Sequence, residues 1–151
     1  MGSAIVAAAL AAWSVAVAWR DGRTRRIPNL LLLVAAVPVL AMLALQGQGP
    51  FGAAPIESVV GAGVVAALFL PGFMLGLSGG GDVKFAACCG LTLGWPGALP
   101  MMLASSILLG VVSLWVMMRR RLGHEVAGRI PAGPSLALSF VLAMGLMELG
   151  S

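Results

Sequence analysis

Asp21 and Asp82 are the residues of this 151-residue chain best suited to chemistry. Each closes a membrane-length apolar stretch, where an ionised acid beside hydrocarbon is costly and is rarely kept without a use. The other acids are Glu57, Glu125 and Glu148; there is one histidine, His124, and no tyrosine. Two carboxylates brought together can activate a water molecule, one acting as base while its protonated partner polarises a carbonyl. Two charged carboxylates ~4 Å apart at an effective dielectric constant of ~20 repel by about 4 kcal/mol. Such a pair keeps one proton and titrates as a unit, so neither acid is given an individual role. No hydroxyl or thiol has a matched histidine partner, which argues against a covalent intermediate.

The surroundings of each acid differ. Asp21 opens the segment Asp21-Gly22-Arg23-Thr24-Arg25-Arg26-Ile27-Pro28-Asn29. Pro28 suits a first helical turn, where its missing N–H is not needed, and Asn29 is expected to cap or brace that start. Taken alone, the segment reads equally well as a basic loop in which Asp21 offsets neighbouring arginines. Asp82 lies in Ser78-Gly79-Gly80-Gly81-Asp82-Val83-Lys84. Three glycines let the backbone turn sharply and approach another segment without a Cβ in the way. An Asp N-cap is the plainer reading, but a cap does not require three preceding glycines, so a functional role is favoured here.

The elements that must position these acids are helices in a membrane. The chain is 60% hydrophobic and 9% charged, with a mean hydropathy of +1.05, and an open sheet edge cannot be satisfied in lipid. An all-α, polytopic membrane protein is expected, a single integral-membrane domain over residues 1–151 with six transmembrane helices near 3–19, 29–45, 56–77, 83–94, 97–118 and 134–149. Arg20, Arg23, Arg25 and Arg26 fall between the first two spans, Lys84 after the third, and Arg119, Arg120, Arg121 and Arg129 after the fifth. The connections 46–55 and 94–96 carry no Lys or Arg. All basic side chains thus share one face, which the positive-inside rule makes cytoplasmic, and both aspartates share it. This distribution assigns the net charge of +4 to orientation and membrane lipid, not to nucleic acid.

Residues 85–118 give roughly 51 Å of helix at ~1.5 Å each, whereas two crossings need about 60 Å. Either the bilayer thins there, or Asp82 and Lys84 start below the surface in a wet recess. The run Ser3–Trp19 looks like a signal peptide ending at Ala16-Val17-Ala18, but its positive charges follow the apolar run instead of preceding it; a retained helix is expected. Gly72, Gly76 and Gly80 carry the four-residue spacing of close helix packing. Pro38 and Pro71 are expected to kink their spans. Cys88 and Cys89 fit neither a disulfide framework nor a zinc pattern and read as small core residues. No metal or other cofactor is expected.

Together the motifs resemble the prepilin peptidase family, the membrane aspartyl proteases that process type IV pilins. The resemblance rests on Asp21 followed by Ile27-Pro28-Asn29, then a Gly-x-Gly-Asp-x-Lys box at Gly79, Gly81, Asp82 and Lys84. A third element, Ile130-Pro131-Ala132-Gly133-Pro134, looks like the family's entry to its last helix, with Ala132 in place of an aromatic. The chain lacks the long cytosolic loop and Cys-x-x-Cys pairs of the family's larger members and is similar to the short forms associated with tight-adherence (Flp-type) pili. The resemblance implies a GxGD-type architecture and catalysis by Asp21 and Asp82. It also implies substrate positioning by Ile27, Pro28, Asn29, Gly79, Gly81 and Lys84, and location in the bacterial inner membrane. The implied substrate is a prepilin with a short basic leader followed by an apolar helix.

Two competing readings make different predictions. A small proton-coupled transporter would use the same acids as a relay and would favour acids midway along a span. A noncatalytic assembly subunit would tolerate Asp-to-Asn changes at both sites. His124, alone in an arginine-rich loop, reads as solvated. Glu57 and Glu148 read as interfacial, and Met101, Met102, Met117 and Met118 as packing or lipid contacts.

Overall fold

The computed structural model describes residues 2–24, 27–74, 79–121 and 133–149. These residues form helices only: α1 (Gly2–Thr24), α2 (Asn29–Gln46), α3 (Pro55–Met74), α4 (Gly80–Arg121) and α5 (Gly133–Leu149). The expectations for Arg25, Arg26, Gly76, Ser78, His124, Glu125, Arg129 and residues 130–132 lie outside the described residues, as do those for the side chains of Arg120 and Glu148. Apolar runs of this length become helices because each backbone N–H and C=O is then satisfied within its own segment. Ile5–Thr24, Asn29–Gln46 and Gly80–Arg119, the last taken across its break, are long and apolar enough to cross a membrane; Pro55–Pro71 and Gly133–Met147 are shorter apolar helices. The chain is a multi-pass helical membrane protein, as expected.

Boundaries differ from the sequence reading where tertiary contacts intervene. The first helix was expected to stop at residue 19, but α1 continues to Thr24 and carries Asp21 inside it. Asp21 is therefore a helical residue and not part of a loop. The connection expected at Gly94-Trp95-Pro96 is confined to Gly94, at φ 68° and ψ 179°, and helix resumes at once. That conformation is essentially open to glycine alone, so one residue does the work of a loop. The rod from Gly80 to Leu93 is about 21 Å long at ~1.5 Å per residue, well under the ~30 Å of hydrocarbon. The shortage anticipated for residues 85–118 thus falls on the rod that begins beside Asp82. Pro38 and Pro71 lie inside α2 and α3.

Side-chain contacts fix which helix ends lie together. Ile27, just before α2, packs against Gly81 of α4, and the Phe73 ring at the end of α3 covers Gly80. Lys84 of α4 bonds to Asn29 of α2, and Gly133 of α5 bonds to Asp21 near the end of α1. At the opposite end, Gly94 faces Ala53 and Glu57, and Gly97 faces Met147. There Gly47 and Gly52 adopt positive φ in the turn after α2, and Glu57 Oε2 accepts a hydrogen bond from the Ala54 N–H at 2.9 Å.

The core is centred on Trp13. Its ring meets Phe85 of α4 edge-on at 5.4 Å and Phe140 of α5 at 6.3 Å, while its Nε1–H donates to the Leu31 carbonyl of α2 at 2.6 Å. One side chain therefore ties four helices. Phe85, Ala86, Cys89 and Leu93 form the buried face of the first α4 rod; Cys89 is core, as expected, and Cys88 is half-buried. Close packing was expected at Gly72, Gly76 and Gly80. A Cβ on Gly80 would stand 3.2 Å from the Phe73 ring, while Gly76 and the surroundings of Gly72 lie outside the described residues; a backbone-to-backbone approach lies at Gly61 and Gly90, where a Cβ on Gly90 would stand 2.5 Å from the Gly61 carbonyl oxygen. Leu30, Leu33, Val37 and Leu40 of α2, and Leu103, Ile107, Val111 and Leu114 of α4, are exposed, an apolar exterior suited to lipid. Met101 is buried and Met117 and Met118 are exposed, in keeping with packing and lipid contact.

Candidate active site

Asp21 is buried near the end of α1, at 6% exposure, while its neighbours Arg20 and Arg23 point outward. The Arg23 guanidinium lies over the Trp19 ring, 4.5 Å from its centroid. The alternative in which Asp21 merely offsets adjacent arginines in a loop is thereby set aside for these two residues: they occupy a different face. The Asp21 carboxylate instead meets the start of α5, where the Gly133 N–H donates to Oδ2 at 3.1 Å. The first N–H groups of a helix have no partner within it, and in an apolar bundle a carboxylate supplies one.

Asp82 is also buried, at 8% exposure. It is not the N-cap of α4 but stands in the first turn, three residues after Gly79. Its Oδ2 accepts from the Gly79 N–H at 3.0 Å, and its own N–H donates to the Gly79 carbonyl at 3.0 Å. The reach-back from the third helical position is that of a capping box, and Glu57 makes the same one at Ala54. The two carboxylates are thus each held by a backbone N–H at a helix start, Asp82 by its own helix and Asp21 by another.

The glycine run has a steric reason. A Cβ on Gly81 would stand 3.1 Å from Ile27 Cβ, and one on Gly80 3.2 Å from the Phe73 ring; on Gly79 it would sit at an ordinary 3.4 Å from Asp82 Oδ2. Ile27 is itself buried, so the Ile-Pro-Asn segment presses directly on the Gly-x-Gly-Asp segment. A second link follows, the Lys84 ammonium donating to Asn29 Oδ1 at 3.0 Å. Asn29 therefore braces α4 but does not cap α2. The N-cap of α2 is Pro28, at φ −67° and ψ 135°, with no side-chain bond; its fixed φ suits this extended position. The first turn is closed by the Leu31 N–H donating to the Pro28 carbonyl at 3.0 Å.

The structure therefore joins Ile27 with Gly81, Asn29 with Lys84, and Asp21 with Gly133, and gathers all of them at one end of the bundle. Trp13 and the Gly133–Asp21 bond were missed as site features. Gly133 sits in the Ile130–Pro134 element that the sequence marks, but nothing local to it or to Trp13 says which helix it will meet. Among the described residues no group of three or more His, Cys, Asp or Glu side chains converges as metal ligands. An apolar cavity of about 300 Å³ opens between α1 and α2 beside Leu10, Trp13, Val34 and Pro38, and neither aspartate lines it.

A family model described as the Type IV leader peptidase family matches residues 8–114. The matched span includes both aspartates, Ile27-Pro28-Asn29 and the segment Gly79–Lys84, and stops before α5. Comparison with curated proteins and with solved structures gives no match. With a match over more than half of its length and a multi-pass helical fold, the chain belongs to the type IV leader peptidase family, whose members are peptidases acting on prepilins.

Proposed function

We propose that this protein removes the leader of a type IV prepilin by an aspartic mechanism in which Asp21 and Asp82 act as one site. The observation that carries this reading is the burial of two acids, remote in sequence, at one end of the bundle, with their flanking segments interlocked by Ile27 against Gly81 and Asn29 on Lys84. Burial of unused carboxylates in an apolar protein is costly, and a shared proton makes such a pair a water-activating site. One carboxylate takes a proton from water as the protonated partner donates to the scissile carbonyl. The resulting tetrahedral intermediate collapses with proton transfer to the leaving amine.

In this proposal residues 1–151 form one membrane domain with six crossings in the bacterial inner membrane, and the aspartates lie at its cytoplasmic face. Exposed Arg20, Arg23, Arg119 and Arg121 support that orientation. The Arg119 guanidinium over the Trp115 ring, 4.8 Å from its centroid, repeats the Trp19–Arg23 pairing on a second helix, as expected of residues at a membrane–water boundary. The substrate is a prepilin of the tight-adherence (Flp) type, with a basic leader left in the cytoplasm and an apolar helix entering beside the spans. Ile27, Pro28, Gly79, Gly81 and the Asn29–Lys84 bond hold the two acid-bearing segments in register. No cofactor enters the mechanism.

Purified protein incubated with a panel of prepilins, scored for leader loss by mass spectrometry, tests the activity. Asp21→Asn and Asp82→Asn should each abolish cleavage with membrane insertion intact. Cleavage retained by both variants refutes the two-aspartate mechanism.

A further inference from the structure

Helix α5 lies outside the residues that match the family, yet its first residue bonds directly to Asp21. The Gly133 N–H donates to Asp21 Oδ2 at 3.1 Å in a buried bond. A Cβ on residue 133 would stand 2.6 Å from Oδ2, 2.9 Å from Asp21 Cβ and 3.0 Å from Asp21 Cγ. Real Cβ atoms do not tolerate the first two of these distances, so a side chain at 133 and this position of the Asp21 side chain exclude each other.

We propose that Gly133 is a positioning residue for the peptidase reaction: its N–H and its bare Cα seat the Asp21 carboxylate so that Oδ1 is the oxygen presented to water and substrate. The inference rests on Asp21 being one of the two reacting acids. The bond serves both partners. It satisfies an N–H that α5 cannot satisfy itself, and it places a negative group at the positive end of a helix. It also restricts the carboxylate to one rotamer, because turning about χ1 would break the bond. When Gly133 acquires a methyl group, the carboxylate can turn away on two torsions, while the 2.9 Å contact with Asp21 Cβ, which no torsion relieves, needs a shift of a few tenths of an ångström between α1 and α5. The displacement therefore falls on a reacting group as well as on the packing of α1 against α5.

The test uses the full-length protein in detergent or liposomes with a cleavable prepilin, reading kcat and KM separately. Gly133→Ala should lower kcat about a hundredfold, the cost of an ångström-scale misplacement, with KM within twofold. Gly145→Ala on the same helix, where a Cβ meets nothing within 4 Å, should leave both unchanged. Glycolic acid in place of Gly133 converts its amide to an ester and removes the N–H without adding a side chain. It should lower kcat by about tenfold or more, as loss of a hydrogen bond to a charged group does, and it stands as the deciding variant if Gly133→Ala fails to fold. Wild-type kcat in the ester variant, or loss of kcat with a proportionate rise in KM, overturns the proposal. Asp21→Asn separates the two levels. If it stays active, the reading of Asp21 is wrong; if it is inactive while both Gly133 variants keep wild-type kcat, only the positioning role fails.

Discussion

Gly90→Ala measures how tightly α3 and α4 must fit for Asp82 to stand where it does. The new Cβ would lie 2.5 Å from the Gly61 carbonyl oxygen, 2.8 Å from the Gly61 carbonyl carbon and 3.1 Å from Ala62 Cα. All three are backbone atoms, so no rotamer change relieves the contact and the helices must part. Ordinary separation at such a contact is ~3.5 Å or more, so the required movement approaches an ångström. Overpacking of this kind costs about 1–3 kcal/mol, against a gain of up to about 1 kcal/mol from replacing a helical glycine by alanine. Gly63→Ala supplies the reference, because it sits on α3 with nothing within 4 Å of its Cβ and collects the propensity gain alone. The difference between the two variants is then about 1–3 kcal/mol, or roughly 5- to 150-fold in the folded-to-unfolded ratio at 1.4 kcal/mol per tenfold. Reversible unfolding in mixed detergent micelles, followed by circular dichroism, reads that difference directly. Leader cleavage should fall with it, because α4 carries Asp82 and parting from α3 also disturbs Gly80 against Phe73. Equal stability of Gly90→Ala and Gly63→Ala refutes the argument that backbone contact at this crossing sets the α3–α4 distance.

Three other substitutions probe separate links. Gly94→Ala should destabilise by at least about 1–3 kcal/mol, since alanine is strained at the glycine's backbone angles and its Cβ would stand 2.6 Å from that of Ala53; its denaturation midpoint should fall below that of Gly63→Ala. Trp13→Phe removes the 2.6 Å bond to the Leu31 carbonyl while keeping an aromatic ring near Phe85 and Phe140. A loss of about 0.5–1.5 kcal/mol is expected, with faster amide exchange at the start of α2 by hydrogen–deuterium exchange mass spectrometry. Asn29→Ala and Lys84→Met each delete an exposed contact, so stability should change by less than about 1 kcal/mol, whereas cleavage should fall and the double variant should be no worse than either single. Additive losses in cleavage would show that the two residues act separately.

The apolar run lengths, the placement of arginines beside them and the motif spacing were legible because they are properties of short stretches. Water and hydrocarbon read those stretches residue by residue. Hence the all-helical membrane class, the positions of the helices to within a few residues and the family all follow from the order of amino acids. Asp21 and Asp82 stand out on the same grounds, as acids at the ends of apolar runs. What each acid touches is a different kind of fact. That Asp21 lies inside α1 and meets Gly133, that Asn29 braces Lys84 instead of capping α2, and that Gly61 and Gly90 form the close crossing all depend on rotation and axial register between helices. A helix presents a new face every ~100°, and the many glycines of this chain look alike until a neighbour's position is known. A connection at 94–96 was legible in the sequence, but its confinement to Gly94, packed against Ala53 and Glu57, belongs to the same class. Tertiary packing decided these points because the free energy that selects them comes from contacts between segments, which no single stretch of sequence contains.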